Sequence, residues 1–298
     1  MKFDVVCFGS AVVDAFVETD TKEANKSLVI SYDSKQLMKG LSFYIGGGGT
    51  NVAVAFSRLG LKTGYIGEVG NDSNGKKILD LLKKENVAFL GKKAKGKTSG
   101  FSVILINKNK QHRSVLTYKG INDKISERDV KKFDAKWLYL SSMMKKSFQT
   151  QLKLARKCKK NGVKIAYNPS EYLIKKVNVK PLLSLCDVVI MNKEEAGLLT
   201  KSGDKLKSIY NMGPKIVVIT DDKKIVKCYD GKKIYSINPP NVKVVDKTGA
   251  GDAFAAGFVS GLIKEKPIEF CLKLGIKEAT SEIKYIGVKN NLLKMKLK

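Results

Sequence analysis

The chain of 298 residues is 43% hydrophobic and 28% charged, so it can bury a substantial core in one large α/β domain or two small ones. No apolar run reaches the roughly 18–20 residues of a membrane-spanning helix, which excludes that class of protein. The net charge of +28 raises the question of a nucleic-acid partner. However, the excess is almost entirely lysine in scattered pairs such as Lys92-Lys93, which favours a general basic surface and makes nucleic acid an unlikely partner.

The five cysteines are far apart and form no CxxC pair, which predicts buried, reduced thiols. The segment Met1–Cys7 carries Asp4 where a signal peptide would be apolar, and it predicts a strand. Both observations lead us to expect a cytoplasmic protein.

The first part of the chain alternates between strand and helix. The apolar run Phe3–Phe8 predicts a buried strand. Residues 50–59 predict a helix, with Thr50 or Asn51 near its N-cap and Gly60 at its end. Two further elements are expected next, a strand and then an amphipathic helix: 65–67 and 74–85.

A hairpin interrupts this alternation. Gly100–Asn107 and Arg113–Tyr118 are strand-like, and the polar residues Lys108–Gln111 between them predict a turn. Another strand-like segment lies within 14–44. Together these segments predict a small β-sheet that projects from the core.

From Trp137 onward the alternation is regular. Four strands are predicted: Trp137–Leu140, Lys164–Tyr167, Asp187–Met191 and Lys215–Thr220. Three helices are predicted: 148–160, Gly251–Lys264 and Ile268–Tyr285. This order indicates a parallel sheet covered by helices on both faces. No repeat, low-complexity tract or linker divides the chain, so we expect one domain over residues 1–298.

Three glycine-containing segments compete for a phosphate-binding role. Gly91–Thr98 fits the P-loop pattern letter for letter, but the residues after it predict a strand where a P-loop needs a helix. The run Gly46–Gly49 leads directly into the 50–59 helix, and four glycines allow a ligand to approach the backbone closely. This second segment is either a ligand site or a flexible loop, and the helix behind it favours the former.

The third segment, Thr248–Phe254, places small residues before a helix. The amides of residues 249–251 can form a preformed anion hole, and Asp252 in the first turn can accept the proton of an attacking hydroxyl. An ordinary capped helix also favours an acid at this position. The residues alone leave both interpretations open.

The segments Gly46–Gly60 and Asp246–Phe258 closely resemble, in order and spacing, the two signatures of the ribokinase-like (PfkB) carbohydrate and nucleoside kinase family. The similarity extends over nearly the whole chain. It implies a doubly wound, mostly parallel α/β sheet flanked by helices, with a small β-sheet lid at about 15–45 and 98–120. It also implies transfer of the ATP γ-phosphoryl group to a primary hydroxyl, usually with Mg²⁺.

The resemblance assigns roles to individual residues. Asp252 would be the catalytic base, and the amides of Gly249, Ala250 and Gly251 the anion hole. The substrate-binding residues would be Asp14, Gly47, Gly48 and Asn51. The nucleotide would be bound by Asn192, Thr220, Thr248, Gly249 and Gly251. Asn192 and Glu195 match the NxxE motif that organises Mg²⁺ through water, although a helix cap is the alternative reading of this pair.

The chain departs from ribokinases at three acceptor positions. Val12 replaces a sugar-binding asparagine, Gly48 replaces a lysine, and Ser142 lies near the position of an acid. These changes argue against strict ribose specificity, and the additional glycine leaves space for a nucleoside base.

The nucleotide site also differs. The residues after Thr220 are Asp221-Asp222-Lys223-Lys224 instead of glycines, and Lys277 lies where small residues pack beside adenine. These changes bring the choice of ATP as donor into question. His112 in the hairpin turn is interpreted as a surface residue, and Arg113 beside it as able to reach the site from the lid.

Three functions remain open. The first is an ATP-dependent sugar kinase, the second a nucleoside kinase with the same machinery, and the third an inactive kinase fold used for binding. The retention of Asp252 argues against the third. By analogy with the family, the lid can pair two subunits into a homodimer, and a monovalent cation (K⁺) can bind near Asp246 and the Gly287 loop.

Overall fold

Strands and helices alternate along most of the chain in the computed structural model, which describes residues 2–25, 27–107, 112–221 and 224–297. The strands in these ranges are β1 (Lys2–Phe8), β2 (Val12–Thr19), β3 (Glu23–Ala24), β4 (Ser27–Leu28), β5 (Gly40–Gly46), β6 (Thr63–Ile66), β7 (Glu68–Gly70), β8 (Ala88–Phe89), β9 (Lys92–Ala94), β10 (Gly100–Asn107), β11 (Arg113–Tyr118), β12 (Asp134–Ser141), β13 (Lys164–Asn168), β14 (Val188–Asn192), β15 (Ile216–Thr220), β16 (Val226–Tyr229) and β17 (Ile234–Ile237). The α-helices are α1 (Gly48–Arg58), α2 (Ser73–Lys84), α3 (Lys145–Lys160), α4 (Glu171–Ile174), α5 (Lys180–Leu183), α6 (Lys193–Leu199), α7 (Lys205–Tyr210), α8 (Ala250–Ile263) and α9 (Ile268–Glu282).

The main sheet of the described chain has nine strands in the order β17-β16-β15-β14-β13-β12-β1-β6-β8. Every pairing from β15 to β8 is parallel, and only the edge strands β16 and β17 run antiparallel. The predicted doubly wound, mostly parallel sheet is confirmed. The antiparallel edge was not predicted, because two four-residue strands give a weak pattern in the sequence.

The alternation of side chains along β1 divides the core into two layers. Val5 and Cys7 pack with residues of α1, α2, α8 and α9 on one face. Val6 and Phe8 pack with residues of α3 to α7 on the other. Because both faces are covered, the strands are almost wholly apolar, as expected for a buried parallel sheet.

A second sheet of four strands lies beside the carboxyl end of β1, in the order β11-β10-β2-β5. The pairing of β10 with β11 confirms the predicted hairpin, whose turn at 108–111 lies outside the described residues. The strand-like region before residue 44 forms two long strands, β2 and β5, and the short pair β3 and β4. Strand β11 is exposed throughout, so this sheet presents one face to solvent.

Of three local predictions, one needs correction and two gain support. The N-cap of α1 is Gly47, not Thr50 or Asn51, because Gly47 adopts a φ of 96° and the helix begins at Gly48. Gly60 ends that helix as predicted, with a φ of 83°. The P-loop look-alike is followed by strand β10, which confirms that its context is wrong for phosphate binding.

All five cysteines are buried and unpaired, in agreement with their predicted structural role. Within the described ranges, no helix combines the length and the apolar character needed to cross a membrane.

Candidate active site

The candidate site lies at the carboxyl edge of the parallel sheet. Three of its polar residues are the last residues of strands in this sheet: Ser141 of β12, Asn192 of β14 and Thr220 of β15. In open α/β sheets, ligands bind at this edge because the loops after the strands converge there. Strand β2 leaves the same edge and enters the second sheet, which carries Asp14 with it.

Close backbone packing explains most of the glycine loop. A Cβ on Gly46 would lie 1.8 Å from Asp14 Oδ2, one on Gly47 would lie 2.5 Å from the Ser10 carbonyl oxygen, and one on Gly49 would overlap Gly9. Gly48 differs, because a Cβ there would face the Ser141 side chain at 3.3 Å and Asp252 Oδ1 at 3.5 Å. Among the four glycines, Gly48 is therefore the one whose missing side chain leaves space next to Asp252.

Asp252 lies in the first turn of α8, as predicted. Its Oδ2 accepts a hydrogen bond of 2.8 Å from Nδ2 of Asn51, which belongs to α1. Burial raises the pKa of Asp252 to about 6, while this hydrogen bond and the charge of Lys289 oppose the rise. A carboxylate with a pKa near the working pH is suited to act as a general base.

The backbone just before Asp252 is shaped for an anion. Gly249 is the N-cap of α8 and has a left-handed φ of 81°. The first helical amide bond is made by Ala253, which donates to the Gly249 carbonyl at 2.8 Å. The Ala250 amide donates to the Lys247 carbonyl at 3.2 Å, so it is already engaged in a turn. The amides of Gly249 and Gly251 precede the helical ladder and lie at the positive end of the helix dipole.

Asp14 lies on β2 and is buried. Burial raises the pKa of Asp14, and the Ser102 hydroxyl together with the charges of Lys289 and Lys119 lowers it in part. The structure brings Asp14 to the glycine loop and within the field of the same lysine as Asp252. The two predicted acids therefore share one polar centre.

Two residues of this centre were not predicted from the sequence. Lys289, in the segment after α9, is 5% exposed and donates hydrogen bonds to Asn51 Oδ1 and to the carbonyl oxygen of Ile45. Ser141 has a buried Oγ with no hydrogen-bond partner among the described residues. Neither residue belongs to a motif. The only signal was a lone lysine shortly after Gly287, and many lysines in this chain have similar surroundings.

A cavity of about 440 Å³ lies next to the N-terminus of α8. Three predicted nucleotide-binding residues line it, namely Asn192, Thr220 and Gly251, together with apolar side chains such as Phe254 and Ile276. Thr248 and Gly249 do not line it. An apolar cleft with a helix N-terminus at one end suits a base with attached phosphates.

Asn192 and Glu195 form a reciprocal cap on α6. Asn192 Oδ1 accepts from the Glu195 amide at 2.8 Å, and Glu195 Oε2 accepts from the Asn192 amide at 2.7 Å. The structure therefore contains the helix cap that was the alternative interpretation of this pair. Burial raises the pKa of Glu195, and the neighbouring acids Glu171 and Glu194 add to the rise.

Asp246 connects the second sheet to the loop before α8. Its Oδ1 accepts from Arg113 Nη1 of β11 at 2.7 Å and from the Thr248 amide at 2.9 Å, and its Oδ2 accepts from the Gly287 amide at 3.0 Å. Burial alone would raise the pKa of Asp246, but the Thr248 and Gly287 hydrogen bonds and the Arg113 charge lower it. Arg113 thus reaches the site, as the sequence suggested. His112 is exposed and contacts Glu23, in agreement with a surface role.

The departures in the nucleotide region have local explanations. Asp221 forms an ion pair with Lys193, whose Nζ donates to Asp221 Oδ2 at 3.0 Å. Asp222 and Lys223 lie outside the described residues. Lys277 is exposed and does not line the cavity. The Ser142 hydroxyl accepts from the Ser170 amide, whereas the Ser141 side chain and Asp252 Oδ1 both lie near the position of a Gly48 Cβ.

Comparison with known proteins shows the family to which the chain belongs. The model of the pfkB family of carbohydrate kinases matches residues 2–295. An ATP-dependent 6-phosphofructokinase from Thermoanaerobacterium thermosaccharolyticum is 26% identical over 302 residues, covering 96% of this chain and 89% of the relative. A 5-dehydro-2-deoxygluconokinase from Clostridium perfringens is 31% identical over 306 residues, covering 93% and 86%. The structure of adenosine kinase from Sinorhizobium meliloti superposes with a TM-score of 0.83 at 24% identity, covering 96% and 95%.

These matches define a class of protein, the phosphotransferases that use a hydroxyl group as acceptor. The chain belongs to the pfkB family of carbohydrate kinases, because the family model covers nearly all of it. ATP is the expected phosphoryl donor of this family.

Proposed function

We propose that this protein transfers the γ-phosphoryl group of ATP to a primary hydroxyl of a sugar or a sugar-like small molecule, with Asp252 as general base. The observation that carries the proposal is the carboxylate of Asp252, held by Asn51 at the N-terminus of α8 and turned toward Gly48 and Ser141. The cavity of about 440 Å³ is lined by Ala250 and Gly251, directly before Asp252, and by Phe254 after it.

The chemistry divides between Asp252 and the α8 N-terminus. Oδ1 of Asp252 accepts the proton of the acceptor hydroxyl as the hydroxyl oxygen bonds to the γ-phosphorus, while the bond from that phosphorus to the β–γ bridging oxygen breaks and ADP leaves. The amides at 249–251 and the helix dipole stabilise negative charge on the transferring group, with Gly249 and Gly251 contributing most because Ala250 is already engaged. Phosphoryl transfer needs little covalent chemistry from the protein, so positioning and charge account for most of the catalysis.

Asn192, Thr220 and Glu195 would bind and orient ATP, the phosphoryl donor. Among the described residues, no group of three or more His, Cys, Asp or Glu side chains could hold a metal by itself. Mg²⁺ commonly binds through one or two carboxylates together with phosphate oxygens and water, and Glu195 with its acidic neighbours suits this indirect role. When bound, the metal would neutralise charge on the phosphates.

The acceptor would lie between the glycine loop and the second sheet, which serves as the lid of a single kinase domain. Asp14 accepts acceptor hydroxyls, the backbone at Gly47 and Gly48 lets the acceptor come close, and Asn51 retains a second N–H for it. A cavity of about 380 Å³ lies between the second sheet and the loop before α8, lined in part by Phe16 and Asp246.

A nucleoside kinase is the second candidate. The same cavity carries apolar side chains, including Phe16, Ile106 and Ile286, which could pack against a base. Gly48 adds no side chain that would oppose a larger acceptor.

The proposal also includes a homodimer and a cytoplasmic location. The outer lid strands expose large apolar side chains, which a homodimer formed through the lid would cover: Leu41, Phe43, Val115, Leu116 and Tyr118. Light scattering of the purified protein, compared with a variant carrying Leu116→Lys, tests this state. Use of ATP and buried thiols agree with a cytoplasmic location.

A monovalent cation near Asp246 and the Gly287 loop would have to be held by backbone carbonyl groups. Both carboxylate oxygens of Asp246 already accept hydrogen bonds, and Arg113 supplies a positive charge there. Replacing K⁺ in the assay with tetramethylammonium tests this part of the proposal, because that ion is too large for such a site.

The central experiment is a coupled assay with ATP and a panel of acceptors: pentoses, hexoses, hexose phosphates, keto-deoxy acids and nucleosides. We expect turnover that depends on one acceptor class, and we expect Asp252→Asn to lower kcat by roughly 10²- to 10⁴-fold because it removes the base. Asn is isosteric and removes a buried charge, so the variant should remain folded and bind ATP in a calorimetric titration.

An absence of turnover with every acceptor, combined with salt-sensitive binding of nucleic acid, would instead support an inactive kinase fold with a basic binding surface. Equal activity of wild type and Asp252→Asn would remove Asp252 from the mechanism.

A further inference from the structure

Lys289 is a buried lysine directly behind the acceptor site. Its Nζ donates to Oδ1 of Asn51 and to the carbonyl oxygen of Ile45, so two of its three N–H groups are fixed by the protein. Asn51 in turn donates from Nδ2 to Oδ2 of Asp252 at 2.8 Å. The three side chains form one continuous row of hydrogen bonds that ends on the proposed base.

The chemistry of the Lys289 ammonium group determines which group donates and which accepts in each of these hydrogen bonds. Lysine is only a donor, so the atom of Asn51 that faces it must be the acceptor Oδ1. The Nδ2 group is then directed to Asp252. If the Asn51 amide turned over, its N–H groups would meet the ammonium and its oxygen would meet the carboxylate, and both contacts would be repulsive.

The backbone of Lys289 is held from two helices. Its amide donates to the Glu282 carboxylate of α9, and its carbonyl oxygen accepts from Arg58 Nη1 of α1 at 2.6 Å. Arg58 is itself fixed by two hydrogen bonds to Glu85, at 2.9 and 2.6 Å. Lys289 has a φ of 72°, and a non-glycine residue keeps such a conformation only where its surroundings determine it.

We propose that Lys289 is a positioning residue for the reaction: it locks the Asn51 amide so that Asn51 donates to Oδ2 of Asp252 and leaves Oδ1 to take the proton of the acceptor. This inference rests on the proposed role of Asp252 as base. Lys289 acts through Asn51 and does not need to touch the phosphoryl group.

The electrostatics of the surroundings agree with this geometry. The pKa of Lys289 is lowered to about 8, chiefly by burial and in addition by the charge of Arg58. The neighbouring carboxylates of Asp14, Asp252 and Glu282 oppose this shift. Seen from Asp252, both the Asn51 hydrogen bond and the Lys289 charge lower the pKa of the carboxyl group against its burial. Removing Lys289 should therefore make Asp252 harder to ionise.

The kinetic test uses a double-mutant cycle of Lys289→Met and Asn51→Ala, with the exposed Lys294→Met as matched control. We expect Lys289→Met to lower kcat by about 10- to 100-fold with little change in the KM for ATP, and Lys294→Met to have no effect. In the Asn51→Ala background, Lys289→Met should have less than about a threefold further effect, because the two residues act through one path.

A second readout does not depend on catalysis. The titration of the Asp252 carboxyl carbon by NMR should move to higher pH in Lys289→Met and should be partly restored in Lys289→Arg, which keeps the charge and the donors. If Lys289→Met does not fold, Lys289→Gln replaces it, and it should also raise the Asp252 midpoint because it lacks the charge.

The outcomes separate the two proposals. An unchanged kcat and an unchanged Asp252 midpoint in the folded variants, or fully additive effects of Lys289 and Asn51, would overturn the positioning role. If wild type phosphorylates no acceptor but the Asp252 midpoint still moves in Lys289→Met, the positioning role stands and the proposed function fails.

Discussion

Two opposing effects act on the carboxyl group of Asp252. Its partial burial beneath the glycine loop favours the neutral acid, while Asn51 and Lys289 favour the carboxylate, and the balance is a pKa of about 6. A base with this value is ionised at neutral pH and is still basic enough to accept a proton as a hydroxyl attacks.

This balance predicts the pH dependence of the reaction. As the pH falls through about 6, Asp252 becomes protonated, and kcat should decrease tenfold for each further pH unit. The measurement is kcat at saturating ATP and acceptor between about pH 5 and 8, with excess coupling enzyme. A kcat that stays constant down to about pH 4.5 would contradict the assignment of Asp252 as base.

The same shift has a consequence for stability. Since the folded-state pKa of Asp252 is raised, ionising this group disfavours folding as the pH rises from about 4 to 6. Asp252→Asn should therefore be at least as stable as wild type at neutral pH. Loss of activity without loss of stability is the signature that distinguishes a base from a structural acid.

At the scale of elements, the start of α8 depends on one backbone conformation. Gly249 caps the helix with a left-handed φ of 81°, and a Cβ there would lie 2.8 Å from Cγ1 of Val288. Two residues later, a Cβ on Gly251 would meet nothing within 4 Å. The two glycines of the anion hole thus have different reasons to be glycine.

This contrast gives a paired prediction. Gly249→Ala should lower the free energy of unfolding by about 1–3 kcal/mol, because it adds both backbone strain and a clash with Val288. Gly251→Ala should leave the stability nearly unchanged, since the site is open and alanine favours helix. Denaturant unfolding of both variants is the measurement, and an equal loss of stability would contradict the role assigned to Gly249.

At the scale of the whole molecule, Arg113 joins the second sheet, the proposed lid, to the loop before α8. It extends from β11 to Asp246 and Thr248, directly before the proposed anion hole. Its side chain is 40% exposed, so the ion pair should contribute less than about 1 kcal/mol to stability. Its larger effect would be on closure of the lid over the acceptor, which keeps water from the transferring group.

We therefore expect Arg113→Ala to lower kcat/KM for the acceptor by about tenfold and to increase the share of ATP hydrolysed without transfer. The exposed Arg128→Ala serves as control for the loss of one arginine. Transfer and hydrolysis are measured separately, by product chromatography and phosphate release. Unchanged kinetics with unchanged hydrolysis would show that Arg113 has no part in closure.

The sequence predicted the main sheet, its helices and the second sheet because each depends on local periodicity. It was wrong about the N-cap of α1, where packing of Gly47 against Ser10 decides the helix start. It did not indicate that Ser141, the last residue of β12, lies beside Gly48, because this proximity depends on how β12 and α1 pack. It also did not indicate that Lys277 is exposed on α9.

The sequence by itself indicated a kinase of the pfkB family, because the segments Gly46–Gly60 and Asp246–Phe258 resemble the two signatures of that family. The chemistry of the residues alone left open whether Thr248–Phe254 forms an anion hole or an ordinary capped helix. Only the tertiary structure decided what surrounds Asp252. Lys289, Asn51 and Asp14 come from three distant segments, and no local pattern indicates that their polar groups share one buried centre. Distances between such side chains depend on how α1, α8 and the segment after α9 pack, which is a property of the whole core.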